Sequence, residues 1–285
     1  MTKECPVPAG ILVIVGGKED KGDDEKDKKK KPDAYQHLEI LKTFVDLTGK
    51  KNPTVEVITS ASSLGDESFD DYQKVFEELK VGTIGHIHHD NREEVLADDC
   101  IERIDKTDAI LFAGGDQLKY TSRYGGTHFL TRLKERYIHD KIVIGGTSAG
   151  AMALSTPMIY AGNNEVQEIG GEIKITTGLE FLKDACIDTH FTQRARFVRM
   201  AQVIVTNPSC IGIGIGENTA IVVRNGLEAE VIGSGLVIVI DGFHIGKANV
   251  DDFLRGKPIS IRDLKVHILS TGDQYLIPQA NPPHK

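Results

Sequence analysis

The chain has 285 residues, 40% of them hydrophobic, with 29 glycines, four cysteines and a formal net charge of −8. This length accommodates one large α/β domain or two small ones. The negative net charge disfavours nucleic acid as a partner, and no apolar run approaches the roughly 20 residues that cross a bilayer. The cysteines lack the spacing of a zinc site or a disulfide framework. Together these features lead us to expect a cytoplasmic protein with no cofactor and no metal, and with neither nucleic acid nor a membrane as partner.

Strand-like and helix-like segments alternate along the first half of the chain. The apolar run Ile11–Val15 predicts a buried first strand that ends in Gly16-Gly17. Further strands are predicted at 54–59, 83–87, 109–112 and 141–144, and helices at 38–47, 68–80 and 92–104. This βαβ alternation predicts a doubly wound, mostly parallel α/β sheet with helices on both faces, a three-layer sandwich like that of flavodoxin or the glutamine amidotransferases.

A charged segment follows the first strand. Between residues 18 and 33, seven lysines balance seven acidic residues. A balanced run of this kind is typical of a solvated surface loop. We therefore interpret 18–33 as a charged surface loop, and Glu19 and Asp20 at its start as solvated rather than as partners of a guanidinium group.

The last third of the chain is predicted to be different. Short strands follow one another closely at 212–215, 220–224, 228–232 and 236–241. Hairpin signals separate them, including Asn225-Gly226. We predict an antiparallel extension of the same sheet, and hence a single α/β hydrolytic domain over residues 1–285.

The strongest chemical signal is the run of small residues around Ser148, with the sequence Gly-Thr-Ser-Ala-Gly. A serine at a strand-to-helix turn, flanked by small residues, makes a nucleophile elbow, in which a strained backbone pushes Oγ out of the sheet. This serine follows the predicted strand 141–144, and ligands bind at the carboxyl ends of such strands. The position favours a nucleophile over a plain glycine-rich turn.

A serine nucleophile needs a base, and the base needs an acidic partner. His190 follows a strand-like segment downstream of the elbow, where the chain turns polar. Glu217 follows the run 212–216, again at a strand end. Asp188 is a competing acid, because residues two apart on a strand point to the same side. The residue pattern leaves both acids open.

Three further histidines, His86, His88 and His89, form a second cluster. Histidines at this spacing raise the question of a metal site, but no matching group of ligands stands elsewhere in the sequence. We interpret them as a strand end and loop.

The order Ser, His, Glu with this elbow resembles the cyanophycinase family of serine peptidases, relatives of aspartyl dipeptidase. The similar motifs cover most of the chain. They are the first turn at 15–20, a second glycine turn at 112–117, a histidine motif at 188–199 and an acidic turn at 214–220. Thr189 stands where the family commonly has glutamine, which removes an amide contact.

The resemblance implies Ser148 as nucleophile, His190 as base and Glu217 as its partner, with the backbone N–H groups of Gly115 and Ala149 as the oxyanion hole. It also implies a set of substrate-binding residues: Gln117, Asp188, Thr189, Arg194, Arg196 and Arg199. The implied substrate is cyanophycin, a poly-aspartate backbone bearing arginines, cleaved to β-aspartyl-arginine dipeptides through an acyl-enzyme. A homodimer is expected.

Other interpretations remain open at this point. The arginines at 194, 196 and 199 have a spacing that also suits a solvated helix face or salt bridges within the protein, although we favour carboxylate binding for at least one of them. The alternative functions are an aspartyl or isoaspartyl dipeptidase and a non-catalytic binding protein of the same fold. A nucleotide binder is disfavoured because the chain has neither a Gly-x-Gly-x-x-Gly fingerprint nor a P-loop.

Overall fold

The computed structural model describes residues 6–22, 36–98, 100–162, 170, 172–250 and 257–278. The strands are β1 (Ile11–Val15), β2 (Thr54–Ile58), β3 (Thr83–Ile87), β4 (Ala109–Phe112), β5 (Val143–Thr147), β6 (Ser155–Thr156), β7 (Met158–Ala161), β8 (Lys174–Thr176), β9 (Leu182–Lys183), β10 (Ala185–Thr189), β11 (Ile211–Ile215), β12 (Thr219–Arg224), β13 (Glu228–Gly233), β14 (Val237–Asp241), β15 (Lys265–Leu269) and β16 (Gln274–Leu276). The helices are α1 (Glu39–Asp46), α2 (Gly65–Glu78), α3 (Arg92–Ala97), α4 (Ile101–Lys106), α5 (Gln117–Tyr124), α6 (His128–His139), α7 (Ala149–Ala153) and α8 (Phe197–Thr206). Within the ranges given, no helix is long and apolar enough to span a bilayer.

The first half of the chain builds the centre of an eight-stranded sheet, in the order β16-β13-β12-β1-β5-β4-β2-β3. The strands β1, β5, β4, β2 and β3 run parallel, which confirms the predicted α/β class. Their order differs from that of flavodoxin, in which the first strand lies between the second and third. Here β1 lies between β5 and the antiparallel β12.

Both faces of this sheet are buried. Along β1, Leu12 and Ile14 belong to one hydrophobic cluster, whereas Val13 and Val15 belong to another. This division follows from the alternation of side chains along a strand. Phe44 of α1 packs in the second cluster, and the first continues into the second sheet. The buried runs of the parallel strands are therefore explained by helices or strands packed on both sides.

The prediction of one extended sheet is wrong in part. Strands β12 and β13 do extend the first sheet, but β11 and β14 lie in a separate six-stranded sheet, of order β15-β14-β11-β10-β6-β9. A methyl group at Gly212 would lie 2.5 Å from Met200, and one at Gly214 would lie 2.3 Å from Phe191. These glycines let neighbouring side chains cover β11 closely. Hairpin signals indicate which strands follow one another, not which sheet each one joins.

One helix prediction changes in detail, and most of the predicted charged loop is not described. The helix predicted at 92–104 is divided into α3 and α4, since the backbone leaves the helical conformation at Asp98 and adopts a left-handed φ of 37° at Cys100. Of the predicted charged loop, residues 23–33 lie outside the described part of the chain.

Candidate active site

Ser148 lies at the sharp turn between β5 and α7. Its φ of 49° and ψ of −113° fall in a region that residues other than glycine rarely adopt. The turn tolerates only small neighbours, because a methyl group on Gly146 would lie 2.7 Å from the backbone of Gly150. The amide of Ser148 donates to the carbonyl of Val15 on the adjacent strand. The geometry is that of the predicted nucleophile elbow.

The structure brings Ser148, His190 and Glu217 together in one line. Ser148 Oγ lies 3.0 Å from His190 Nε2, and His190 Nδ1 lies 2.8 Å from Glu217 Oε1. A carboxylate at Nδ1 keeps the proton on that nitrogen, so the lone pair of Nε2 faces the hydroxyl group. This arrangement can remove a proton from the serine.

The glycine turn after β1 joins the three segments that carry these side chains. The carbonyl of Val15 accepts from Ser148, that of Gly16 accepts from His190 at 2.8 Å, and that of Gly17 accepts from Asn218 at 2.9 Å. Gly17 has a φ of 96°, and a methyl group on it would lie 2.5 Å from His190 Nε2. The turn therefore sets the position of the imidazole ring and leaves no room for a side chain.

Asp188, the competing acid, has different partners. It is fully buried; Arg196 Nη1 donates to Oδ1 at 2.9 Å, and Arg199 donates to Oδ1 and Oδ2 at 2.6 and 2.9 Å. Asp188 and His190 do not point to the same side of a strand as predicted, because β10 ends at Thr189 and His190 adopts a left-handed φ of 49°. Asp188 thus lies beneath the cavity described next, where it anchors the arginines, and not on the cavity wall.

A cavity of about 300 Å³ opens beside Ser148. Most of the predicted site residues line it: Gly115, Gln117, Ser148, Ala149, Thr189, Arg194, Arg196 and Arg199. Four further lining residues were not predicted, namely Met152, Tyr160, Ala161 and Gly162, which follow the elbow in α7 and β7 without any polar motif.

The two residues proposed for the oxyanion hole flank the nucleophile in this cavity. Ala149 follows Ser148 at the start of α7, where amides have no intrahelical partner. Gly115 has a φ of 142°, and a methyl group on it would lie 2.3 Å from the carbonyl oxygen of Ala61. Only glycine fits this close approach of two backbones, so the position of its amide is tightly constrained.

Arg196 and Arg199 form salt bridges with Asp188, as one of the alternatives predicted, and do not lie on a solvated helix face. Arg199 is buried, and it binds Asp188 through two nitrogens and the carbonyl of Gly162 through a third. Arg196 is partly buried, and its Nε is shielded from solvent with no hydrogen-bond partner in the described ranges. Arg194 is exposed and lines the cavity. The cavity is therefore rich in positive charge.

The surroundings lower the pKa values of both the base and its acidic partner, which favours the neutral imidazole and the charged carboxylate. Burial, and then the cations Arg194 and Arg196, lower the pKa of His190 despite the opposing effect of Glu217. Burial alone would raise the pKa of Glu217, but the hydrogen bonds from His190 and Lys18 outweigh it and lower that pKa. At neutral pH the imidazole is neutral and the carboxylate is ionised, as a general base requires.

Sequence reasoning missed the acidic residues of the first turn. Glu19 is buried, where its carboxylate accepts hydrogen bonds from the Tyr72 hydroxyl and, at 2.6 Å, from Thr147 Oγ1 next to the nucleophile. Asp20 is buried as well and accepts from the amide of Leu38 at 2.9 Å. The prediction that both side chains are solvated is therefore wrong. It was based on the charged segment that follows, and not on their position directly after the glycine turn.

Lys18 was also missed, and it lies at the edge of the site. Its Nζ is 3.3 Å from Glu217 Oε1. Among the residues that the structure describes, the one group of three side chains able to hold a metal lies at the end of β3, not beside Ser148.

Known proteins similar to this chain are peptidases. The model of peptidase family S51 matches residues 30–231. The chain is 29% identical over 276 residues to a cyanophycinase of Synechococcus elongatus, covering 97% of this chain and 82% of that protein. It is 28% identical over 264 residues to the cyanophycinase of Geminocystis herdmanii, covering 93% and 92%. In fold it resembles a peptidase from an acI-B1 actinobacterium, with a TM-score of 0.63 at 18% identity, covering 95% and 98% of the two chains.

Proposed function

The chain belongs to peptidase family S51 and is a serine-type peptidase, and from this premise we propose that it hydrolyses cyanophycin to β-aspartyl-arginine dipeptides. The observation that carries the proposal is the line Ser148–His190–Glu217 at the edge of a cavity lined by arginines. The similarity to cyanophycinases over nearly the whole chain supports the choice of substrate.

In the proposed reaction, Ser148 Oγ attacks the carbonyl carbon of the scissile peptide bond while His190 Nε2 takes the hydroxyl proton. Glu217 stabilises the imidazolium that forms, and the amides of Gly115 and Ala149 donate to the oxyanion. His190 then gives its proton to the leaving amine, and an acyl-enzyme remains on Ser148. Water, activated by the same imidazole, hydrolyses the ester and restores the hydroxyl group.

The charge of the cavity supports an aspartyl group as the residue bound beside Ser148. Guanidinium groups bind carboxylates in planar two-bond geometry. Arg194, Arg196 and Arg199 all line the cavity, so a substrate carboxylate bound there would meet guanidinium groups. Asp188 fixes Arg196 and Arg199 from below, so their orientation is set before substrate binds.

A dipeptidase acting on short aspartyl or isoaspartyl peptides is the second candidate. The observation that favours it is the composition of the cavity wall, which contains no Asp or Glu among the described residues to pair with a substrate arginine. Thr189 also lines this wall in place of the glutamine common in cyanophycinases. The two candidates share the same chemistry and differ in the substrate that the cavity selects.

Digestion of purified cyanophycin, followed by mass spectrometry of the products, tests the proposal. We expect β-aspartyl-arginine dipeptides from the wild type and none from Ser148→Ala. Cleavage of short aspartyl peptides with an intact polymer would favour the dipeptidase. Turnover of neither substrate class would leave a binding protein of the same fold.

The single domain over 1–285, the homodimer and the cytoplasmic location remain predictions. Light scattering of the purified chain would test the homodimer, with a mass of one chain as the contradicting result. Limited proteolysis into two stable fragments would contradict the single domain.

A further inference from the structure

A second polar cluster, which the proposed mechanism does not use, lies where β3 ends. It comprises His86, His88, His89, Asp98 and Cys100, and we call it the β3 corner. In the eight-stranded sheet β3 lies three positions from β5, about 14 Å at the usual spacing between strands. The β3 corner is therefore remote from Ser148.

His89 is held in a single orientation. Its side chain is 4% exposed, its Nδ1 lies 2.9 Å from the Tyr124 hydroxyl, and its amide donates to Ser60 Oγ at 3.0 Å. Asp98 Oδ2 lies 3.4 Å from Nε2, so in the metal-free protein Nε2–H donates to the carboxylate and Nδ1 accepts from Tyr124. Tyr124 Oη and Ser60 Oγ lie 2.7 Å apart, so the ring can also carry its proton on Nδ1, which donates to Tyr124 while Tyr124 donates to Ser60. This second neutral form leaves the lone pair of Nε2 available to a cation.

Asp98 and Cys100 complete a group of three different donor atoms. Cys100 Sγ lies 2.9 Å from Asp98 Oδ2, and the amide of Cys100 donates to Oδ1 at 3.2 Å. The ligand atoms of His89, Asp98 and Cys100 all lie within 4.8 Å of one another. The left-handed backbone at Cys100 is uncommon for this residue type, and such strain persists where surrounding contacts fix it.

We propose that His89, Asp98 and Cys100 bind one Zn²⁺ ion, with water as the fourth ligand. Imidazole nitrogen, carboxylate oxygen and thiolate sulfur are the ligands that zinc takes in tetrahedral sites. The hydrogen bond from Nδ1 to Tyr124 is the outer contact that orients a ligating histidine. Asp98 is largely exposed, which gives the ion a path to the site.

Binding exchanges a proton for the metal and changes no oxidation state. The thiol of Cys100 donates to Asp98 in the metal-free protein. When zinc binds, the ring proton of His89 moves from Nε2 to Nδ1, bonds form from the ion to sulfur, to Nε2 and to the carboxylate, and the thiol proton passes to solvent. The ion would join the end of β3 to the start of α4, so its effect is on stability and not on peptide hydrolysis.

The other two histidines of the corner serve as controls. His86 Nε2 and His88 Nδ1 both lie within 2.8 Å of Thr59 Oγ1, so these nitrogens are already hydrogen-bonded. Cys210 supplies the matching control for the thiol, because it is a second buried free cysteine in a different part of the chain.

The test uses the untagged full chain, freed of metal with a chelator and titrated with Co²⁺ as a spectroscopic substitute for zinc. We expect one ion per chain and a near-ultraviolet thiolate-to-cobalt absorption band. Zinc should raise the melting temperature. Cys100→Ser should remove the band, and Asp98→Asn, an exposed change that spares the fold, should weaken binding ~10-fold or more.

His88→Asn and Cys210→Ser should bind as the wild type does. The proposal is overturned if the wild type shows no thiolate band, if the band survives Cys100→Ser, or if binding is lost in His88→Asn instead. None of these results bears on the peptidase assignment, which the assay with cyanophycin tests separately.

Discussion

The active site and the β3 corner are two polar clusters at the carboxyl ends of parallel strands, the first built from both large sheets and the second at the end of one strand of the first sheet. Each holds a buried histidine whose Nδ1 has a fixed partner. At His190 that partner is the carboxylate of Glu217, whereas at His89 it is the neutral hydroxyl of Tyr124. A carboxylate stabilises the imidazolium that forms when the ring takes a proton; a hydroxyl group only orients a neutral ring. The two histidines therefore differ in which ring nitrogen faces a carboxylate, Nδ1 in His190 and Nε2 in His89.

The largest expected difference between the two clusters is in peptidase rate. Ser148→Ala should lower kcat by ~10⁴-fold or more, because no other group at the site can replace the nucleophile. Cys100→Ser at the β3 corner should leave kcat within roughly twofold of the wild type. Steady-state assays on β-aspartyl peptides compare the two variants. Comparable losses in both would remove the distinction between the clusters.

The next largest effect on kcat should come from replacing the acid that pairs with His190. Glu217→Gln should lower kcat by ~10³-fold or more, since an amide cannot stabilise the imidazolium. Asp188→Asn should act chiefly through KM and stability, because Asp188 binds arginines rather than the base. Parallel kinetics and thermal unfolding of both variants decide the matter. A larger fall in kcat for Asp188→Asn would make that residue the functional acid.

The glycine turn offers a third test, with a matched control. Gly17→Ala should lower kcat by ~10²-fold, because the new methyl group displaces the imidazole from Ser148. Gly49→Ala also places alanine at a positive φ, but nothing lies within 4 Å of its methyl group. This control should lose a little stability and keep its activity. Equal kcat in the two variants would mean that His190 does not depend on the turn.

Substitution of Arg196 should have a smaller effect. Arg196→Lys keeps the charge but loses the planar fork, so kcat/KM on β-aspartyl substrates should fall roughly tenfold. Hydrolysis of an ester without carboxylates should be unchanged. Arg132→Lys, at an exposed ion pair with Asp105, serves as the control. If Arg196→Lys has full activity on β-aspartyl substrates, the arginines do not select the substrate.

The smallest expected effect is on the pH profile. The rate constant kcat/KM should rise with pH through a pKa below 6.5, because the base must be neutral and its pKa is lowered by burial and by the neighbouring arginines. Arg194→Gln removes one cation that disfavours the imidazolium, so the rising limb should move to higher pH. The pH dependence of kcat/KM, measured at low salt for the wild type and for Arg194→Gln, tests this shift. A shift to lower pH would contradict the proposed electrostatics.

The sequence predicted the parallel half of the fold well, because its strands are continuous apolar runs bounded by glycine or charged loops. The bounds of β1 and β4, which are runs of this kind, are as predicted. The second sheet was not predicted, since it depends on contacts between distant segments. Gly212 and Gly214 accommodate Met200 and Phe191 there, and no local pattern indicates that β11 pairs with β10.

The parts of the site that depend on neighbouring residues could be predicted from the sequence. The parts that depend on contacts between distant segments could not. The elbow at Ser148 follows from its small neighbours. The position of the acid depends on the left-handed backbone at His190, which ends the strand alternation and turns the ring away from Asp188. Glu19 was missed because its partners Tyr72 and Thr147 come from distant parts of the chain.

The proposed triad takes its members from both large sheets, with Ser148 after β5 of the first and His190 and Glu217 after β10 and β11 of the second. A ribosome must therefore deliver about three quarters of the chain before the acid exists, and the second sheet must then dock on the first. Until then the proposed nucleophile lacks the full set of partners that would activate it, so we expect activity only from chains that extend beyond Glu217.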